Sequence, residues 1–174
     1  ILEQAKIADA KAISVDGVAP TALTVDKVIA TSNTVRHKYW NAVNTGVEIK
    51  VPLTDTDKTL IDGQVRIKAK LSNSGTWDYI GNWSTITSAE LTAKVKVMTL
   101  IAADIAAYTG ADANIIEFTA GVQDKAGNET EWTKSTETLI VDKTPPAVQE
   151  VTATITAVGG NVVANYWNST NTSI

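Results

Sequence analysis

At 174 residues, 44% of them hydrophobic, the chain is long enough for one domain with a real core, or for one domain with flanks. Its formal net charge of −4, from 15 basic and 19 acidic side chains, argues against the basic face that a nucleic-acid binder needs. It has no cysteine, which excludes a disulfide scaffold and a thiolate metal site, and no apolar run of the length that a membrane-spanning helix requires.

Residues 1–10 suit a short helix or a fraying strand equally, and Lys11–Asp16 reads as the last strand of a preceding unit. Ile1-Leu-Glu-Gln has the character of no secretory leader, and the chain is expected to be a processed or excised piece of a longer parent. Leu23–Thr31 is expected to be the first strand of a complete unit. Tyr39-Trp-Asn41 then leads into the turn at Asn44-Thr-Gly46.

Val47–Val51 alternates apolar and charged residues, as a strand with one wet face does. Gln64–Leu71 is the clearest strand: Val65, Ile67, Ala69 and Leu71 point one way and Arg66, Lys68 and Lys70 the other. Ser72-Asn-Ser-Gly75 is a hairpin turn, with Trp77–Ile80 returning and Gly81-Asn82 ending that strand. Leu91–Leu100 sets Val95, Val97 and Thr99 against Lys94, Lys96 and Met98. Ile101–Tyr108 is alanine-rich and predicts one or two helical turns, closed by Gly110. Ile115–Val122 places Ile116, Phe118, Ala120 and Val122 on one face. After the tight turn Asp124-Lys-Ala-Gly-Asn128 come one short and one final strand, which ends at Val141. About seven or eight strands with such turns predict an all-β antiparallel sandwich.

Two short echoes organise the chain. Val15-Asp-Gly-Val-Ala-Pro20 returns as Val141-Asp-Lys-Thr-Pro-Pro146, 126 positions on (141 − 15). Tyr39-Trp-Asn41 returns as Tyr166-Trp-Asn168, 127 positions on (166 − 39). The expected layout is therefore residues 1–16 as the last strand of a preceding module or a linker, 17–141 as one complete module, and 142–174 as the first strands of a following one.

Together, the Asp124-Lys-Ala-Gly-Asn128 turn and the Val141-Asp-Lys-Thr-Pro-Pro146 junction resemble the immunoglobulin-like tandem repeats of large prokaryotic surface proteins, such as adhesins and surface-layer proteins. The resemblance covers about Val15 to the C-terminus. It implies an immunoglobulin-like antiparallel β-sandwich with a short helical insertion near 101–108, flanked by partial modules. It also implies tandem arrangement, extracellular or cell-surface display, and no particular ligand. The function expected on this basis is that of a structural spacer in an adhesin stalk, surface layer or filament. The alternatives are a glycan- or partner-binding module, or a non-catalytic accessory domain of a secreted hydrolase.

No catalytic constellation is legible. The single histidine, His37, lies between Arg36 and Lys38 near a turn and reads as a surface residue. Calcium is the best chemical hypothesis, because Asp55, Asp57 and Asp62 share one loop and irregular loops can gather oxygens round a hard cation. A second set, Asp124, Asn128 and Glu129 with Asp142 or Asp16, falls at a module joint. The plainer reading is that Asp124 and Asn128 cap their own turn. Trp77, Tyr79 and Trp83 could stack on a sugar if exposed, but at least one of them is expected in the core. Asn82, Asn128, Asn168 and Asn171 head N-glycosylation sequons, which matter only in a host that glycosylates its exported proteins. The expected partners are neighbouring copies or modules, through tandem packing or strand donation, and surface glycans.

Overall fold

The β-branched alternation forms two sheets that share one core, as a computed structural model describes for residues 14–32, 36–148, 156–163 and 166–173. The chain divides into two compact units, Ile1–Thr144 and Pro145–Ile174. Residues 1–13 and 149–155, on which the expected flanking strands largely fall, lie outside the described residues.

The elements of the first unit, in order, are β1 (Val28–Thr31), β2 (Tyr39–Trp40), β3 (Gly46–Pro52), β4 (Gln64–Leu71) and β5 (Asp78–Thr85). They continue with α1 (Ser88–Thr92), β6 (Val95–Ile101), β7 (Ile115–Gln123), β8 (Glu129–Glu131) and β9 (Leu139–Val141). One sheet has the order β1-β3-β6 and the other β2-β9-β7-β4-β5, with β8 also paired to β7. All pairings are antiparallel except β2 with β9, where Tyr39 lies opposite Ile140 and Trp40 opposite Val141 in parallel.

The core fills the space between the sheets. Val47, Ile49 and Val51 of β3 meet Val65, Ile67 and Ala69 of β4 and Ile116, Phe118, Ala120 and Val122 of β7, all fully buried. This is the inward set expected for β4 and β7. Burying one such side chain contributes about 1.5–3 kcal/mol. Trp132 closes one end, with its indole N–H donating to the Pro52 carbonyl at 3.1 Å, so that its one polar atom is satisfied.

Four local readings change. The strand expected over Leu23–Thr31 is confined to Val28–Thr31; Leu23 and Val25 instead exchange backbone hydrogen bonds with Thr133. Gly81-Asn82 does not end the return strand: β5 runs on to Thr85 through a register shift, with Gly81 at φ 62°. A left-handed residue suits glycine and lets a strand bulge rather than stop. The helical turns expected over 101–108 shrink to a 3-10 turn at Ala102–Ile105, because Ile101 completes β6.

In β6 the core takes the face that carries the lysine. Lys96, Met98 and Leu100 are buried, while Val97, Thr99 and Ile101 face solvent. The cause is α1, which the sequence reading missed. Thr87 and Glu90 form a capping box at its start, and Glu90 reaches Lys96 at 2.8 Å.

The described residues of the second unit make two isolated bridges, Val158 with Ser173 and Val163 with Tyr166. Its turns use Gly159 and Gly160, at φ 79° and 66°.

Candidate functional site at the linkers

The two segments that lead into and out of the first unit are each held by a side chain of its body. The incoming linker is held by the Asp124–Asn128 turn. Asp124 accepts hydrogen bonds from the Asn128 backbone N–H and side-chain amide, both at 2.9 Å, and Gly127 sits at φ 91°. The same Asn128 amide also donates to the Asp16 carbonyl at 3.1 Å. Both amide hydrogens are thereby used, one inside the turn and one on the linker. Asp16 continues the anchorage by accepting from the Val18 N–H at 3.1 Å.

The outgoing linker is held by Asp112. Its carboxylate accepts from the Lys143 N–H at 2.7 Å and from the Thr144 hydroxyl. Before that point, Asp142 N–H donates to the Trp40 carbonyl at 2.8 Å and Val141 N–H to the Asn114 carbonyl at 2.9 Å. Hydrogen bonds from Thr144 and from the Lys143 backbone hold the Asp112 carboxyl below its usual range. A carboxyl depressed in the folded state contributes its contact above the unfolded value, about 3.9, and loses it as pH falls through the folded value. Asp112→Ala is therefore expected to speed amide exchange at Lys143 while leaving Tm little changed. In the parent chain the same speeding should appear only in acid. Equal Lys143 protection in both proteins at neutral pH would remove this anchor.

Four of the carboxylates considered for calcium have partners in the structure. Asp55 pairs with Lys94 at 3.2 Å, and Asp57 caps the turn Lys58–Leu60 by accepting from the Thr59 N–H and hydroxyl. Asp62 pairs with Lys125 at 3.2 Å. Asp124 serves Asn128, and Asp142 is exposed in the linker. Among the described residues no group of three or more His, Asp or Glu side chains could hold a metal ion. A calcium ion bound at these loops would have to draw the carboxylates from their present partners and recruit carbonyl or amide oxygens beside them. Melting in EDTA and in millimolar calcium is expected to give the same midpoint. A calcium-dependent rise would show that the protein binds the ion.

Tyr79 and Trp83 lie half-buried on the outer side of β5 and Trp77, also half-buried, just before it, while Ile80 takes the core side. None of the three joins the core, contrary to the expectation for at least one; the core tryptophans are Trp40 and Trp132. The outward lysines of β4 gave the signal, because strands paired in one sheet share their wet face. Arg66 and Lys68 lie 5.0 and 4.6 Å from the Tyr79 ring centre, and Lys70 lies 5.0 Å from that of Trp77. Tyr79 and Trp83 stack at 5.4 Å with a 47° tilt. The Tyr79 hydroxyl donates to Glu129, and burial followed by that carboxylate pushes its titration up. Trp83 also edges a groove of about 380 Å³ between β5 and β6, shared with Asn82, Thr99 and Asp104.

His37 is exposed, and its carbonyl accepts from Ala30 N–H. Among the four sequon asparagines, Asn82 is exposed on β5, whereas the amides of Asn128, Asn168 and Asn171 all make hydrogen bonds that a glycan would disturb.

The Tyr-Trp-Asn echo extends into three dimensions. In the first unit, Asn44 Oδ1 accepts from Asn41 N–H at 2.7 Å, and Asn44 Nδ2 donates to the Thr31 and Ser32 carbonyls at 2.9 and 3.2 Å. Asn41 Oδ1 accepts from Val43 N–H at 3.0 Å. Apart from the bond to the Thr31 carbonyl, in whose place Asn171 Nδ2 meets the Asn161 carbonyl, each of these contacts has a counterpart 127 positions later. Asn171 Oδ1 accepts from Asn168 N–H at 2.8 Å, Asn171 Nδ2 donates to the Gly159 carbonyl at 2.8 Å, and Asn168 Oδ1 accepts from Thr170 N–H at 2.9 Å.

The backbone follows suit. The pair Thr31–Gly46 corresponds to Val158–Ser173, and Tyr39 N–H to Arg36 corresponds to Tyr166 N–H to Val163. Even the left-handed residue recurs, Ser32 at φ 70° and Gly159 at φ 79°. The sequence reading stopped at the third residue of this motif; the full pattern is Tyr-Trp-Asn-x-x-Asn-Thr, from Tyr39 to Thr45 and from Tyr166 to Thr172. No family model matches the chain, and no curated protein or solved structure is significantly similar to it.

Proposed function

We propose that the chain is a structural spacer from a tandem array of immunoglobulin-like modules, displayed outside a prokaryotic cell in an adhesin stalk, surface layer or filament. The observation that carries this reading is the contact-by-contact recurrence, at a spacing of 127, of the β1-turn-β2-turn-β3 opening within residues 158–173. The start of a second module would repeat these contacts together. Strand order supports the immunoglobulin-like type: three strands face a sheet in which the opening segment runs parallel to the last strand.

The work of such a module is spacing. Asn128 and Asp112 hold the linkers on the body at Asp16 and at Lys143–Thr144, and the two prolines Pro145 and Pro146 then restrict the backbone of the outgoing linker. A chain carrying residues 17–142 twice in succession tests the reading. Scattering is expected to show an elongated particle of two equal folded modules, with the second module's counterpart of Trp40 buried. A second copy that stays unfolded, or a collapsed particle, would overturn it.

A second reading, glycan binding, is favoured by one observation: the β5–β6 groove sets an indole beside amide, hydroxyl and carboxylate groups. A glycan array, with Trp83→Ala as control, tests it. Signal that survives this substitution would remove the groove as the site.

A further inference from the structure

In the first unit β2 is completed by a strand from far along the chain. Tyr39 and Trp40 run parallel to Ile140 and Val141, Asp142 N–H reaches the Trp40 carbonyl at 2.8 Å, and Trp40 is 5% exposed. The second unit rebuilds the setting of β2 at Tyr166–Trp167. Among its described residues nothing takes the place of β9, and Trp167 is 57% exposed. Tyr166, Val158, Val162 and Val163 are exposed as well. A strand edge with exposed apolar side chains is a template for another strand.

The sequence contains one other segment built like β9. Ile13-Ser14-Val15-Asp16 repeats Leu139-Ile140-Val141-Asp142 at the 126 spacing (139 − 13). In β9, Leu139 and Val141 are buried and Ile140 only partly so. Val15 stands at the position of Val141 yet is 93% exposed. The next residue, Asp16, has its carbonyl held by Asn128, which fixes the root of this segment on the body of the first unit. At the equivalent position the Asp142 N–H serves the Trp40 carbonyl.

We infer that Ser14–Val15 of one copy pairs in parallel with Tyr166–Trp167 of a second copy, with Asp16 N–H donating to the Trp167 carbonyl. The register rests on the tandem reading; the inference adds the partner, a second copy of this chain. Donor and acceptor are different segments, so a single such contact is heterologous and, repeated, joins copies head to tail. A pairing of so few residues is weak and reversible.

Sedimentation velocity on the full chain tests it, with tryptophan emission as a second readout. Mean sedimentation coefficient is expected to rise with concentration, and emission to shift to shorter wavelength. Val15→Asp removes the donor and Trp167→Ala the acceptor, both at exposed positions, so each variant alone is expected to stay monomeric with the parent's Tm. Mixed together, they retain one donor and one acceptor and should form dimers and nothing larger. A parent chain that stays monomeric, a Val15→Asp chain that still associates, or a mixture without dimers overturns the inference. If the chain with two successive modules folds while the single chain stays monomeric, head-to-tail pairing falls and the tandem reading stands.

Discussion

Glu90→Ala is expected to destabilise the first unit by about 3–5 kcal/mol, because it strands a buried ammonium group. For a unit of this size that lowers Tm by roughly 10–20 °C. Lys96 is 6% exposed, and its ammonium donates to Glu90 Oε1 at 2.8 Å and to the Thr85 carbonyl at 2.7 Å. Glu90 Oε2 also accepts from the Thr87 N–H at 2.8 Å and hydroxyl at 2.9 Å, so the substitution also removes the Glu90 half of the α1 capping box. Burial works to raise the Glu90 carboxyl, but hydrogen bonds from Lys96 and Thr87 hold it below its ordinary value. Its contribution is therefore present above the unfolded value, about 4.3, and is lost as pH falls through the lower folded value. Glu90→Gln keeps part of the cap and should fall between parent and alanine variant. Lys96→Met combined with Glu90→Gln should return to within about 1 kcal/mol of the parent, since a hydrophobe of similar length replaces the buried cation. Thermal melts from pH 3 to 7 read all of these. A Glu90→Ala midpoint within a degree or two of the parent would show that Lys96 is solvated in solution.

The same pair explains where sequence reading failed. Period-two patterns identified β3, β4 and β7 with their inward faces, because in those strands the apolar residues recur on one face from end to end. In β6 both faces carry apolar residues, and the lysine argues for the wrong one. Lys96 is inward only because α1 supplies Glu90, a contact no single-strand pattern contains. The signal for α1 was present as Thr87-Ser-Ala-Glu90 ahead of Leu91, but five helical residues leave no 3.6-residue periodicity to notice. Gly81 shows the converse: glycine marks a break or a bulge alike, and the pairing of Val65 with Ser84 beyond it decides for the bulge.

The linker anchors were half legible. Asn128 belongs to a turn motif whose joint location was expected, although its partner at Asp16 is a backbone carbonyl rather than a shared cation. Asp112 had no sequence signal, since it lies in the loop between Tyr108 and β7 and meets Lys143 and Thr144 only after β7 and β9 have paired. The Asn44 and Asn171 roles were encoded in the echo itself, one turn beyond the residues first compared.

Asn44→Ala is expected to cost about 2–4 kcal/mol, because one truncation leaves three backbone partners without their bonds. The losses are Asn41 N–H at 2.7 Å and the Thr31 and Ser32 carbonyls at 2.9 and 3.2 Å, around a side chain that is itself buried. Tm should fall by roughly 6–15 °C. Asn44→Asp keeps the shape and the acceptor but turns the two carbonyl-facing donors into a charge, so it should be at least as harmful. Asn41→Ala should cost less, since among the described residues the Asn41 side chain accepts from the exposed Val43 N–H alone. The counterpart Asn171→Ala should abolish protection of the Val158 and Thr172 amides, which take part in hydrogen bonds beside it, and leave the first unit's Tm unchanged. If the echo is structural, the two substitutions act alike, each within its own unit. An Asn171→Ala chain with full protection at Val158 would show that the second turn holds without its asparagine, and the correspondence at a spacing of 127 would then lose its energetic meaning.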